Sequence, residues 1–121
     1  MSHTVSVATE VNSESALKKA AERVGAAWLG QGSHRVYSRN YTGLGVQLRG
    51  WQHPAVFDVA AKKVHTDTYN GNWGSMDRLD EIHQAYAVER LREEAVSRGD
   101  IVTSEQVLQD GSVRLEVEVY A

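Results

Sequence analysis

Two stretches of this sequence carry side chains able to do chemistry. His65 and Asp67 stand two apart within Lys63 to Tyr69, a run that reads as extended, so both project from one face and Tyr69 joins them. An imidazole beside a carboxylate supplies a general base with its orienting partner, or two ligands for one metal ion. The second stretch interleaves Arg35, Arg39 and Arg49 with Tyr37, Tyr41 and Trp51, and is the one locally basic and aromatic segment. Guanidinium groups grip anions and aromatic rings stack on bases, but the same residue types also crowd protein interfaces. Trp73, inside Asn70-Gly71-Asn72-Trp73-Gly74, either packs its loop onto the core or anchors a partner. The favoured reading of His65 and Asp67 is solvated surface, and that of Trp73 is core.

Around these candidates no catalytic set assembles. Of the five histidines, His3, His34, His53, His65 and His83, no two show the i, i+4 helical spacing or the short strand spacing of a metal site. His83 reads as a polar neighbour of an apolar helix stripe. The glycines Gly30, Gly32, Gly43, Gly45 and Gly50 are too dispersed to cradle a phosphate, and none marks a strand-to-helix junction. With no cysteine, a disulfide scaffold, a thiolate metal centre and a cysteine nucleophile are all excluded. The sequence therefore points to no catalytic residue, no metal and no cofactor.

Composition narrows the class further. The chain has 121 residues, 41% hydrophobic and 24% charged, which suits one folded domain over residues 1–121. Thirteen Lys and Arg against sixteen Asp and Glu give a formal charge of −3, whereas nucleic-acid binders usually carry a basic excess. Nucleic acid is accordingly not the expected partner. No apolar run approaches the roughly 18 residues of a membrane span, and Met1 to Val5 lacks the pattern of a signal peptide. The expected address is the cytoplasm, without a membrane.

The elements that must position the candidates can be read from periodicity. Thr4 to Val11 alternates with period two and predicts a strand. Asn12 and Ser13 offer caps for a helix from Glu14 to Val24, closed by Gly25. Ala26 to Gly30, His34 to Tyr37, Gly45 to Trp51, Ala55 to Ala60 and Lys63 to Tyr69 look extended, with a polar stretch Gly30-Gln31-Gly32-Ser33 interrupting them. Pro54 marks a connection or an edge, and Ala61-Lys62 a tight turn lacking a glycine. A second helix runs from about Ser75 or Asp77 to Arg98, stopped by Gly99. Its apolar residues form two groups, Leu79, Ile82 and Tyr86, then Val88, Leu91 and Ala95, more than a quarter turn apart at ~100° per residue. That drift makes either a wide core-facing stripe, the favoured reading, or a partner surface.

The last segment is the most legible. Val113, Leu115, Val117 and Val119 alternate with polar residues after Asp110-Gly111, which predicts a hairpin. A three-residue loop, Gln109-Asp110-Gly111, with a bulge at Gly111 sets Val113, Leu115, Val117 and Val119 across from Val107, Glu105, Thr103 and Ile101. A two-residue loop pairs them with less apolar partners, so the longer loop is preferred. The predicted class is α+β: an antiparallel or mixed sheet packed by two helices, order β-α-β-β-β-β-α-β-β, with a C-terminal hairpin.

The opening Met1-Ser2-His3, the Ala-Leu-Lys-Lys helix stopped by Gly25, Tyr86-Ala87 on a helix ending at Gly99, and Glu105 to Leu115 together carry a resemblance. The chain resembles the hypothetical chloroplast reading frame thirty-five family, a domain of unknown function from cyanobacteria, plastids, bacteria and phages. The likeness spans essentially the whole chain and is weakest from Gly30 to Pro54. It implies no agreed activity. Relatives encoded near AAA-type ATPases imply an accessory role, and phage relatives imply action on a host process. The leading expectation is a non-enzymatic binding or adaptor protein with a protein partner or as a homo-oligomer. The alternative is a small-ligand binder or enzyme using Arg35 to Trp51 with His65, Asp67 and Tyr69.

Overall fold

Short polar side chains and a glycine set the limits of the first helix. Ser13 takes an extended backbone and its hydroxyl accepts the Ala16 N–H, while Gly25 closes the far end at φ 73°, its N–H reaching the carbonyls of Ala21 and Glu22. Between them α1 (Glu14–Val24) buries Ala16, Leu17, Ala20 and Ala21. The computed structural model describes residues 4–110 and 112–119. Within them, β1 (Val5–Ala8) precedes α1, and β2 (Ala27–Val36), β3 (Arg39–Gln47), β4 (Ala55–Asp58) and β5 (Lys63–Thr66) follow it. After these come α2 (Asp77–Ser97), β6 (Ile101–Val107) and β7 (Val113–Glu118), so the order predicted from sequence is the order observed.

The first five strands form one antiparallel sheet in the order β1-β5-β4-β3-β2, and β6 and β7 form a separate two-stranded sheet. Leu44, Val46, Ala55, Phe57 and Val64 line one face of the larger sheet. They pack against Leu17, Ala20 and Ala21 of α1 and Leu79, Ile82, Ala85 and Tyr86 of α2 in a single core. No helix among the described residues is long and apolar enough to cross a membrane.

Several boundaries differ from the sequence reading. The first strand spans Val5–Ala8 and not Thr4 to Val11, because Thr9 turns its hydroxyl to His83 and Val11 enters the core. The polar stretch Gly30-Gln31-Gly32-Ser33 does not interrupt a strand but lies inside β2, where Gly30 and Gly32 face Gly45 and Gly43 of β3. The turn after β4 needs no glycine because Lys62 itself adopts φ 56°. β5 stops at Thr66, so Asp67 and Tyr69 leave the strand instead of continuing its face.

The first apolar group on α2 is buried whole and the second only in part. Leu79, Ile82 and Tyr86 enter the main core, while Val88 and Ala95 lie outside it, on a helix that also touches β6 and β7. Leu91 stays exposed. In the hairpin, Val107 faces Val113 and Glu105 faces Leu115, the register of the three-residue loop. A shift between Val102 and Ser104 then moves Val117 opposite Val102, and not Thr103. It also brings Glu118, rather than Val119, opposite Ile101. The expected bulge at Gly111 lies outside the described residues.

Candidate functional site

The long β2–β3 hairpin determines where most of the candidate residues end up. β4 pairs with β3 only from Leu44 to Val46, so the distal half of the hairpin has no strand beside it there. It folds back over the sheet face opposite the helices. Val36 and Val56, both on that face, are fully buried although neither belongs to the main core. Gly45 makes the return possible. A Cβ there would lie 2.6 Å from His34 Nε2, so only glycine leaves room for the ring, whose Nε2 sits 2.7 Å from the Gly30 carbonyl oxygen.

The return lands Tyr41 on His65, the rings stacked at 4.2 Å, with the Arg39 guanidinium 5.8 Å from the Tyr41 centroid. His65 Nδ1 meets the Ser6 hydroxyl at 2.7 Å, and its Nε2 lies 3.7 Å from Asp58 Oδ2. The carboxylate beside His65 is thus Asp58 of β4, not Asp67. Asp67 is buried, with Oδ1 accepting the Tyr69 N–H and Oδ2 without a partner.

A serine, an imidazole and a carboxylate in a row have the composition of a nucleophile with its base and orienter. The geometry does not support that use. At 3.7 Å the carboxylate is beyond hydrogen-bond range of the ring. Ser6 and His65 are direct cross-strand partners, so their contact follows from strand register alone. Among the described residues no three His, Asp or Glu side chains gather to hold a metal ion.

A second cluster ties the hairpin tip down. Tyr37, at φ 56° in the turn, lies 5.3 Å from Trp73 and 5.9 Å from His53. Trp73 also stacks on Tyr69 at 4.9 Å and meets His53 edge-on at 5.2 Å. Rings this close fill the space between one another, so the cluster is a clasp and not a cage around a ligand. Trp73 is half-buried within it.

The remaining candidates lie elsewhere. Trp51 is buried in the core beneath Gly74 and donates its indole N–H to the Ser75 carbonyl at 2.8 Å. Arg49 is exposed and its stem lies over Gly25, and Arg35 donates to the Tyr37 carbonyl. The Arg35 to Trp51 stretch is therefore divided among four places. Sequence reasoning missed Ser6, Asp58 and His53 as neighbours, because Ser6 and His53 join through strand pairing or loop packing distant in sequence and Asp58 through the register of the β4–β5 hairpin. His3 lies outside the described residues.

Two other surfaces bear on function. An open groove of about 980 Å³ runs between residues 8–12 and α2, lined in part by Thr9, Val11, His83, Tyr86 and Leu91. Burial lowers the His83 pKa against the opposing pull of the Leu79 backbone and Asp80, and its Nε2 lies 2.8 Å from the Thr9 hydroxyl. On the far side of the helices sits the β6–β7 hairpin, held by Glu105, which pairs with Arg23 at 2.6 Å and Arg92 at 3.2 Å. Burial opposes the Glu105 carboxylate, but Arg23 and Arg92 outweigh it and hold its pKa below the ordinary value. Beyond this anchor Val102, Val113 and Leu115 are half-buried, but Ile101 is 51% exposed, Val107 68% and Val119 69%.

No protein-family model, no curated protein and no solved structure matches this chain.

Proposed function

We propose that this protein is a non-enzymatic binding or adaptor protein that works through protein contacts made by its C-terminal hairpin. The observation that carries this reading is a two-stranded sheet standing apart from the main one, with branched side chains in water. Isolated two-stranded ribbons are marginal, and exposed strand edges invite pairing with another chain. Service as an accessory subunit to an AAA-type ATPase, or action on a host process, would both be delivered through such a surface. The test is capture of partners from source-cell lysate with the intact protein and with a Val107→Lys/Val119→Lys variant. A partner retained by the first and lost by the second supports the reading. Equal capture by both, or none by either, would sink it.

The second reading, a small-ligand site, is favoured by Arg39 over Tyr41 on His65, a cation beside stacked rings on an open face. An anionic metabolite is the ligand such a set would take. A thermal-shift screen with nucleotides and carboxylic acids should then raise Tm, and His65→Ala should abolish the rise.

A further inference from the structure

We infer that the hairpin's partner is a second copy of this chain, joined edge to edge through β7 in one antiparallel register. This rests on the hairpin reading above and names its occupant.

The two edges of the hairpin are not equivalent. β6 carries the register shift between Val102 and Ser104, which twists an edge and interrupts its row of hydrogen-bonding groups. β7 lies at the other edge of the two-stranded sheet, and its own residues pair consecutively from Val113 to Glu118. Its alternation is also regular: Val113, Leu115 and Val117 on one face, Arg114, Glu116 and Glu118 on the other.

Charge selects the register. Two copies related by a two-fold axis through the sheet keep each residue on its own face, so the axis must pass through one residue position. Centred on Leu115, the pairing sets Arg114 against Glu116 of the other copy, twice, with Val113 against Val117 and Leu115 against itself. Centring on Arg114 or Glu116 opposes a charge with its own duplicate, and centring on Val117 opposes Glu116 with Glu118. Only the Leu115 register joins opposite charges without a like-charge pair. It converts two marginal ribbons into one four-stranded sheet and brings their aliphatic faces together.

Charge exchange tests the register. Within the hairpin Arg114 faces Gln106 and Glu116 faces Ser104, both neutral, so Arg114→Glu and Glu116→Arg place no like charge directly opposite within one chain. Sedimentation velocity from about 1 to 100 µM should show a concentration-dependent dimer, weakened roughly tenfold or more by either single change. The Arg114→Glu/Glu116→Arg double variant should recover it. Because the chain has no cysteine, Leu115→Cys supplies an independent reading: mild oxidation should link two copies, and Gln109→Cys at the hairpin tip should not.

A monomer at every concentration overturns the second copy as occupant and leaves the wider hairpin reading to the lysate capture. A dimer indifferent to the single charge changes, unrecovered by the double, or linked equally through Gln109→Cys, overturns the β7 register.

Discussion

The two sheets of this protein face the same helices with unequal success. The five-stranded sheet gives Leu44, Val46, Phe57 and Val64 to a core that α1 and α2 close completely. The hairpin meets the outer side of the helices through an ionic anchor at Glu105 and leaves most of its aliphatic residues in water. Burial of apolar area stabilises the first, whereas a few partly exposed charge pairs hold the second. The difference separates the part of the molecule that holds itself together from the part available to something else.

That contrast can be broken at either end. Phe57→Ala should cost about 3–5 kcal/mol in urea denaturation, because a fully buried ring leaves a cavity at the centre of the larger sheet. Gly45→Ala should cost about 1–3 kcal/mol by driving a methyl group into the His34 ring, and most of that loss should vanish in a His34→Ala background. Glu105→Gln should weaken the hairpin's attachment by about 1 kcal/mol, seen as faster amide exchange confined to β6 and β7.

Acidification should sharpen the comparison in two steps. The folded pKa of His83 lies below its ordinary 6.5, so the unfolded chain binds the proton first. Its contribution is present above that pH and is lost as pH falls below it, and His83→Gln should flatten this part of the Tm profile. Glu105, depressed below 4.5, keeps its contribution until lower pH, so the hairpin's ionic anchor should fail later than the His83 contact. The smallest effect belongs to Val107→Thr, which should change stability by less than about 0.5 kcal/mol.

What could be read from the sequence was what local signals determine. Ser13 and Gly25 bounded α1, Gly99 stopped α2, and the loop before Ser112 set the first pairs of the hairpin register. Gly30 and Gly32 misled, because glycine usually breaks a strand, and here they face Gly43 and Gly45 across a hairpin that bends sharply. Of the candidate site, Tyr37, Tyr69 and Trp73 were named separately and meet only because the hairpin tip returns to the loop after β5. Trp51 sat beside the arginines in sequence, but its indole is directed into the core. Asp58 was missed as a neighbour of His65: the tight turn at Ala61-Lys62 announces that β4 and β5 pair, but not the register, which sets Val56 opposite His65.

The pairing of β1 with β5 also sets a clock. Ser6 and His65 are 59 residues apart, and among the described residues β5 is the one strand beside β1. At ~5–20 residues per second, roughly 3–12 s of synthesis separate the two. From Val24 onward in that interval α1 is complete, while its apolar side, Leu17, Ala20 and Ala21, still lacks the full β-surface on which it will rest. Any factor that guards nascent chains would find this helix waiting.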